Sequence, residues 1–343
     1  MRALVINAHG DLERVEYRND VPDPELRQPT DVRIRVRAAA LNHLDLFVIS
    51  GLPNVTITAP WVLGADAMGE VESVGSAVRD VRVGDRVIVN PGISDRSCEY
   101  CLAGEKPLCV RFGILGEHLP GTLAEYIVVP SANVRRIPPE ITDISAAAFT
   151  LATLTAWRMV VSRARVRAGD QVLIQGIGGG VALAALQICK SLGATVWVTS
   201  RSEEKLARAR AIGADETISS TADVAREVRA RTGRRGVDVV IDSVGEATWA
   251  QSLGALGRAG RLVTCGGTSG PSVQTDVRRL FWNQWSILGS TMGNDAEFDA
   301  IAAELSAGRL FPEIDRVFEL AEGRQAFERL AHADQFGKIV ITI

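Results

Sequence analysis

The chain has 343 residues, 46% of them hydrophobic and 23% charged, with a formal net charge of −3. That length points to two domains, and a charge without basic excess argues against nucleic acid or an acidic membrane surface as partner. No run approaches the roughly 20 apolar residues that span a bilayer, and "MRALVINAHG" lacks the apolar core of a signal peptide.

The first third reads as all-β. From Val32, "DVRIRVRAAAL" alternates apolar and basic residues, the pattern of a strand with one wet face. "GEVESVGSAVRDVRVGDRVIV" (69–89) holds two further strands, broken at Gly75 and at Gly84-Asp85, and "GTLAEYIVVP" (121–130) holds another. Short strands with glycine punctuation predict a small barrel or sandwich. Near residue 144 the pattern changes to an apolar helical run, "ISAAAFTLATLTAWRMVV". Buried strands then alternate with helices: 171–176, 195–200, 237–245, 261–267 and 286–291. This is α/β patterning, a doubly wound parallel sheet covered on both faces. The ending "FGKIVITI" returns to a strand pattern that could rejoin the first domain.

Two stretches carry chemistry. In the first, the strand "DQVLIQG" runs through "IGGGVA" into a helix, so Gly176, Gly178, Gly179, Gly180 and Val181 stand at a strand-to-helix turn. Bare backbone and a helix N-terminus are what a dinucleotide pyrophosphate needs. At the end of the next strand an NAD site places a carboxylate for the ribose. Here stand Ser200 and Arg201, with Lys205 one turn on, which suits a 2′-phosphate and predicts NADP(H) in preference to NAD(H). In the second stretch, "SDRSCEYCLAGEKPLC" (94–109), Asp95, Cys98, Cys101 and Cys109 are separated by two, two and seven residues. Three thiolates and a carboxylate make an acceptable tetrahedral zinc set; alternatively, Asp95 only caps the turn. With five cysteines in all, a disulfide framework is not expected, and the expected location is the cytoplasm.

Together "PWVLGADAMGEVESVG", "VGDRVIVNPG", the cysteine lobe, "GTLAEYIVVP", "TLTAW", "IQGIGGGVALAALQ" and "FGKIVITI" resemble the medium-chain dehydrogenase/reductase superfamily along the whole chain. The resemblance implies a GroES-like β-barrel catalytic domain (1–148 and 312–343) around a Rossmann domain (149–311), with the active site in their cleft. It also implies one structural zinc in the cysteine lobe, and a homodimer or homotetramer. Alcohol-oxidising relatives hold a catalytic zinc at three positions that here are Asn42, Ala65 and Leu151, and Leu44 replaces their proton-relaying hydroxyl. "LNHLD" is instead similar to a stretch of the zinc-free quinone and enone reductases.

The reaction expected is therefore hydride transfer from NADPH to a small quinone, enone or related carbonyl, without catalytic zinc. Asn42 would orient substrate or nicotinamide, Asp45 would fix local geometry, and His43 or His118 would supply a proton. Thr155, Gly266 and Gly267 would lie at the nicotinamide, and Ser290 would also bind the cofactor. Two alternatives stand beside this reading. One is an alcohol or aldehyde dehydrogenase using a rearranged metal site from His43, Asp66, Glu117 and His118. The other is a non-catalytic dinucleotide-binding module.

Overall fold

The computed structural model describes residues 1–53 and 55–343. Contacts divide the chain into two compact units, Met1–Leu151 with Gly293–Ile343, and Ala152–Met292. The sequence-based boundaries were 148/149 and 311/312. The helix Asp295–Ser306 accounts for most of the difference, because it is tied to the first unit. Asp299 pairs with Arg135, whose guanidinium lies 5.9 Å from the Phe298 ring, and Asp295 pairs with Arg96 at 3.4 Å.

In the first unit the strand Asp31–Ala40 is the hub of a seven-stranded sheet. It pairs antiparallel with Asp66–Val74 and Tyr126–Pro130, and with Lys338–Thr342 from the far end of the chain. Alternation works as expected: Val32, Ile34 and Val36 join the apolar core, while Arg33 turns outward over the Tyr126 ring at 4.3 Å. The register that places Ala40 opposite Asp66 and Val340 also brings the starts of two strands, at Asp66 and Lys338, beside Asn42.

The second unit is a six-stranded parallel sheet in the order Glu216–Ser219, Thr195–Ser200, Gln171–Ile174, Val237–Asp242, Leu256–Thr264, Ser286–Gly289. The chain winds outward from Gln171–Ile174 in both directions, the doubly wound arrangement whose carboxyl edge takes a ligand. Glu216–Ser219 was not among the expected strands, because four residues reading "ETIS" carry no usable alternation; it is recruited by pairing with Trp197–Ser200. The apolar run from 144 is not one helix. It breaks into Asp143–Ala147 and Thr150–Trp157, then a π-helical turn Arg158–Arg163 closed by Ala164 N–H donating to Met159 O. No helix among the described residues is long and apolar enough to cross a membrane.

Candidate active site and zinc lobe

At the carboxyl edge of the six-stranded sheet, Gly176 and Gly178 hold φ of +69° and +129°, which other residues rarely adopt. Gly179 caps the helix Gly180–Ser191, and no side chain satisfies the first backbone N–H groups of that helix. A Cβ on Gly179 would meet nothing within 4 Å. Bare donors facing open space on a twelve-residue helix form an anion cradle. Val181 is the second residue of that helix.

At the end of the next strand, Ser200 Oγ accepts from Ser202 N–H at 3.1 Å, leaving its own hydroxyl proton to donate. Arg201 is exposed and makes no ion pair among the described residues, and Lys205 lies in the first turn of the following helix. Glu203 and Glu204 sit in that first turn, where they suit the helix dipole. Gly266 and Gly267 lie in the loop after Leu256–Thr264. Ser290 follows the edge strand, its buried hydroxyl without a hydrogen-bond partner. Buried Thr155 directs its hydroxyl at Met292 Sδ, 3.7 Å away. The residues expected to hold a dinucleotide thus fit one, and the orphaned Ser290 hydroxyl and the uncapped helix are the observations that say so.

The three positions at which the resemblance leads one to expect catalytic-metal ligands are built differently. Ala65 and Leu151 carry no donor. Asn42 Oδ1 accepts from Lys338 Nζ at 2.5 Å, and its Nδ2 donates to Asp66 Oδ2 at 2.9 Å. Asp66 is fully buried and saturated. Its Oδ1 accepts from Thr150 Oγ1 (2.5 Å) and Leu151 N–H (2.6 Å), and its Oδ2 from Lys338 Nζ (2.9 Å). Lys338 completes its three bonds with Leu41 O at 2.7 Å. An ammonium and a carboxylate therefore brace the segments at 42, 66, 151 and 338, and these residues do not fit a catalytic metal. Lys338 and Thr150 were not singled out from sequence. The lysine lies nearly 300 residues from its partners, and only the antiparallel register reveals it.

Asp45 is buried, accepts from Asn42 N–H at 2.7 Å, and is pushed up to about 7 by burial. His43 opens the helix His43–Ser50, with its ring edge-on to Phe47; burial lowers its pKa, so the imidazole is neutral at pH 7. "GEH" is a tight turn. Gly116 has φ +82° and its carbonyl accepts from Trp61 Nε1, while His118 Nδ1 accepts from Ile114 N–H at 3.3 Å. His118 is thereby a half-exposed turn cap. Among the described residues His43, Asp66, Glu117 and His118 do not converge into a metal-binding group; the one such group is in the cysteine lobe.

There the ligand atoms of Asp95, Cys98, Cys101 and Cys109 all lie within 4.8 Å of one another. Thiolates about 2.3 Å from a zinc ion stand about 3.8 Å apart at tetrahedral angles, so the set fits one ion. Asp95 Oδ1 also accepts from Cys98 N–H (3.0 Å) and Ser97 N–H (2.9 Å), and Arg111 pairs with Oδ2 at 3.2 Å. Those backbone donors, the one from Cys98 first, hold the carboxyl far below its usual range. Capping the turn and offering a ligand oxygen are compatible roles for one carboxylate.

Residues 28–139 match the alcohol dehydrogenase GroES-like domain family and residues 180–307 the zinc-binding dehydrogenase family. A crystal structure of an NAD-dependent alcohol dehydrogenase is 43% identical, covering all of both chains with a TM-score of 0.95. A quinone oxidoreductase of Pseudomonas aeruginosa is 34% identical over 97% of each chain, and an acryloyl-coenzyme A reductase of Metallosphaera sedula is 31% identical over the whole of both. With a barrel unit, a doubly wound dinucleotide-type sheet, a cysteine lobe compatible with zinc and full-length relatives of this kind, the chain is an oxidoreductase and belongs to the medium-chain dehydrogenase/reductase superfamily.

Proposed function

We propose that the protein transfers hydride from NADPH to a quinone or an α,β-unsaturated carbonyl, without a catalytic metal. The observation that carries this is the Lys338–Asp66 pair, with Ala65 and Leu151, where a metal would need donors. A conjugated acceptor suits such a site. Hydride arriving at the electrophilic carbon places negative charge on a distant oxygen, and hydrogen bonds suffice to hold it. Nicotinamide supplies the hydride when bound. Asn42 is reassigned from orienting substrate to bracing, since both ends of its amide are bonded within the protein. Neutral His43, at the positive end of its helix, is the group left to donate an N–H to the acceptor oxygen. The relatives that reduce quinones and acryloyl-coenzyme A support this acceptor class.

NADPH follows from Ser200 and Arg201, although the 43% identical structure is of an NAD-dependent enzyme. Zinc, one per chain and structural, is assigned to Asp95, Cys98, Cys101 and Cys109. The test is cofactor oxidation at 340 nm with quinones, enones and aldehydes, before and after chelation. Turnover of quinone or enone that survives chelation is expected, with Arg201→Ala raising KM for NADPH but not for NADH. Turnover confined to aldehydes and abolished by a chelator that leaves the protein folded would overturn the proposal.

A further inference from the structure

Behind the nucleotide turn runs a buried chain of hydrogen bonds that the chemistry above does not use. Asp242 ends the strand Val237–Asp242, is fully buried, and meets no cationic side chain among the described residues. Its Oδ1 accepts from Val244 N–H (2.8 Å) and Gly245 N–H (3.0 Å), and Thr248 Oγ1 donates to the carboxylate as well. Its Oδ2 accepts from Ser252 Oγ at 2.7 Å. Ser252, its proton so engaged, accepts from Gln175 Nε2 at 3.0 Å. Gln175 Oε1 accepts from Thr199 Oγ1 at 2.7 Å, and Thr199 Oγ1 accepts from Gly176 N–H at 3.0 Å. A carboxylate can only accept, so Asp242 orients the Ser252 hydroxyl, and through it the Gln175 amide and the Thr199 hydroxyl.

The chain joins three loops at the carboxyl edge. Gly176 opens the glycine turn, and Thr199 precedes Ser200. The turn at 244–245 carries the loop 266–270: Ser269 N–H donates to Val244 O at 2.9 Å, and a Cβ on Gly245 would lie 2.8 Å from Gly267 Cα. Residues proposed to touch pyrophosphate, ribose and nicotinamide are thus registered to one acceptor.

We infer that Asp242, acting through Ser252, Gln175 and Thr199, is a positioning residue that holds the three cofactor loops in mutual register. This rests on the cofactor site proposed above. The test compares wild type, Thr199→Val, Thr199→Ser and Ser252→Ala, measuring the NADPH dissociation constant by fluorescence titration together with KM and kcat. Thr199→Val keeps the shape of the side chain and removes both of its hydrogen bonds. It should weaken NADPH binding and raise KM for NADPH roughly tenfold, about 1.4 kcal/mol, while kcat at saturating cofactor stays within about twofold. Thr199→Ser should restore binding to within about twofold of wild type, and Ser252→Ala should shift binding in the same direction as Thr199→Val. Wild-type affinity in both Thr199→Val and Ser252→Ala, or equal impairment of the Val and Ser variants, would overturn the inference. Failure of wild type itself to bind a nicotinamide cofactor would remove the underlying reading, and shows before any variant is compared.

Discussion

Replacing Lys338 by Met removes the ammonium at the centre of the first unit and leaves a side chain of similar reach. Asp66 then keeps Thr150 Oγ1, Leu151 N–H and Asn42 Nδ2, but Leu41 O and Asn42 Oδ1 lose their donor. Removing one partner of a buried pair destabilises by about 3–5 kcal/mol, because the remaining charge stays buried. Three surviving donors put Asp66 near the lower end, and the two stranded carbonyl oxygens restore about 1 kcal/mol or more of penalty. A loss of about 4 kcal/mol is expected, and with a unit of about 200 residues it lowers the melting temperature by about 8–16 °C. Scanning calorimetry, with separate transitions fitted if the two units unfold apart, reads this directly. The double variant Lys338→Met with Asp66→Asn carries no unpaired charge and should recover at least about 2 kcal/mol of the loss. A single variant within about 1 kcal/mol of wild type, or a double variant no better than the single, would refute the view that this pair braces the unit.

Two further outcomes are expected. Asp95→Ala should lower bound zinc from one ion per chain to well below one after dialysis, measured by elemental analysis, with a lower melting temperature and unchanged intrinsic turnover. Full zinc retention would remove Asp95 from the ligand set. Asp45, held near 7 by burial when folded but near 3.9 unfolded, binds its proton more tightly in the native state. Stability should therefore fall as pH rises from about 4 through about 7. Asp45→Asn should flatten that decline, read as the difference in melting temperature between pH 5 and pH 8.

The sheet architecture was legible because its signals are local. Val32, Ile34 and Val36 alternate with arginines, and Gln171–Ile174 runs directly into the glycine turn. The empty ligand positions were equally legible, since Asn42, Ala65 and Leu151 are simply residues in a motif. What occupied the emptied place was not legible. Lys338 reads as an ordinary polar residue opening a terminal strand, and only the pairing of Val340 with Ala40 carries its ammonium to Asn42 and Asp66. "GEH" resembled a ligand set for the opposite reason: composition carries no geometry, and the turn at Gly116 engages His118 with the backbone. The same limit hid the Asp242 chain, whose members are scattered over two strands, a helix and the glycine turn with no shared spacing.

The C-terminal strand also sets an order of assembly during synthesis. The unit Ala152–Met292 is one unbroken segment and can fold once it has cleared the ribosome. Residues 1–151 emerge earlier, but their hub strand lacks a neighbour, and buried Asp66 lacks its counter-charge, until the strand from residue 338 has emerged as well. The unit that begins with residues 1–151 is thus completed after the unit Ala152–Met292 that follows it in the chain. A nascent chain exposed through residue 292 but not yet through residue 338 would present a finished nucleotide-type sheet and a first unit whose hub strand has one edge open.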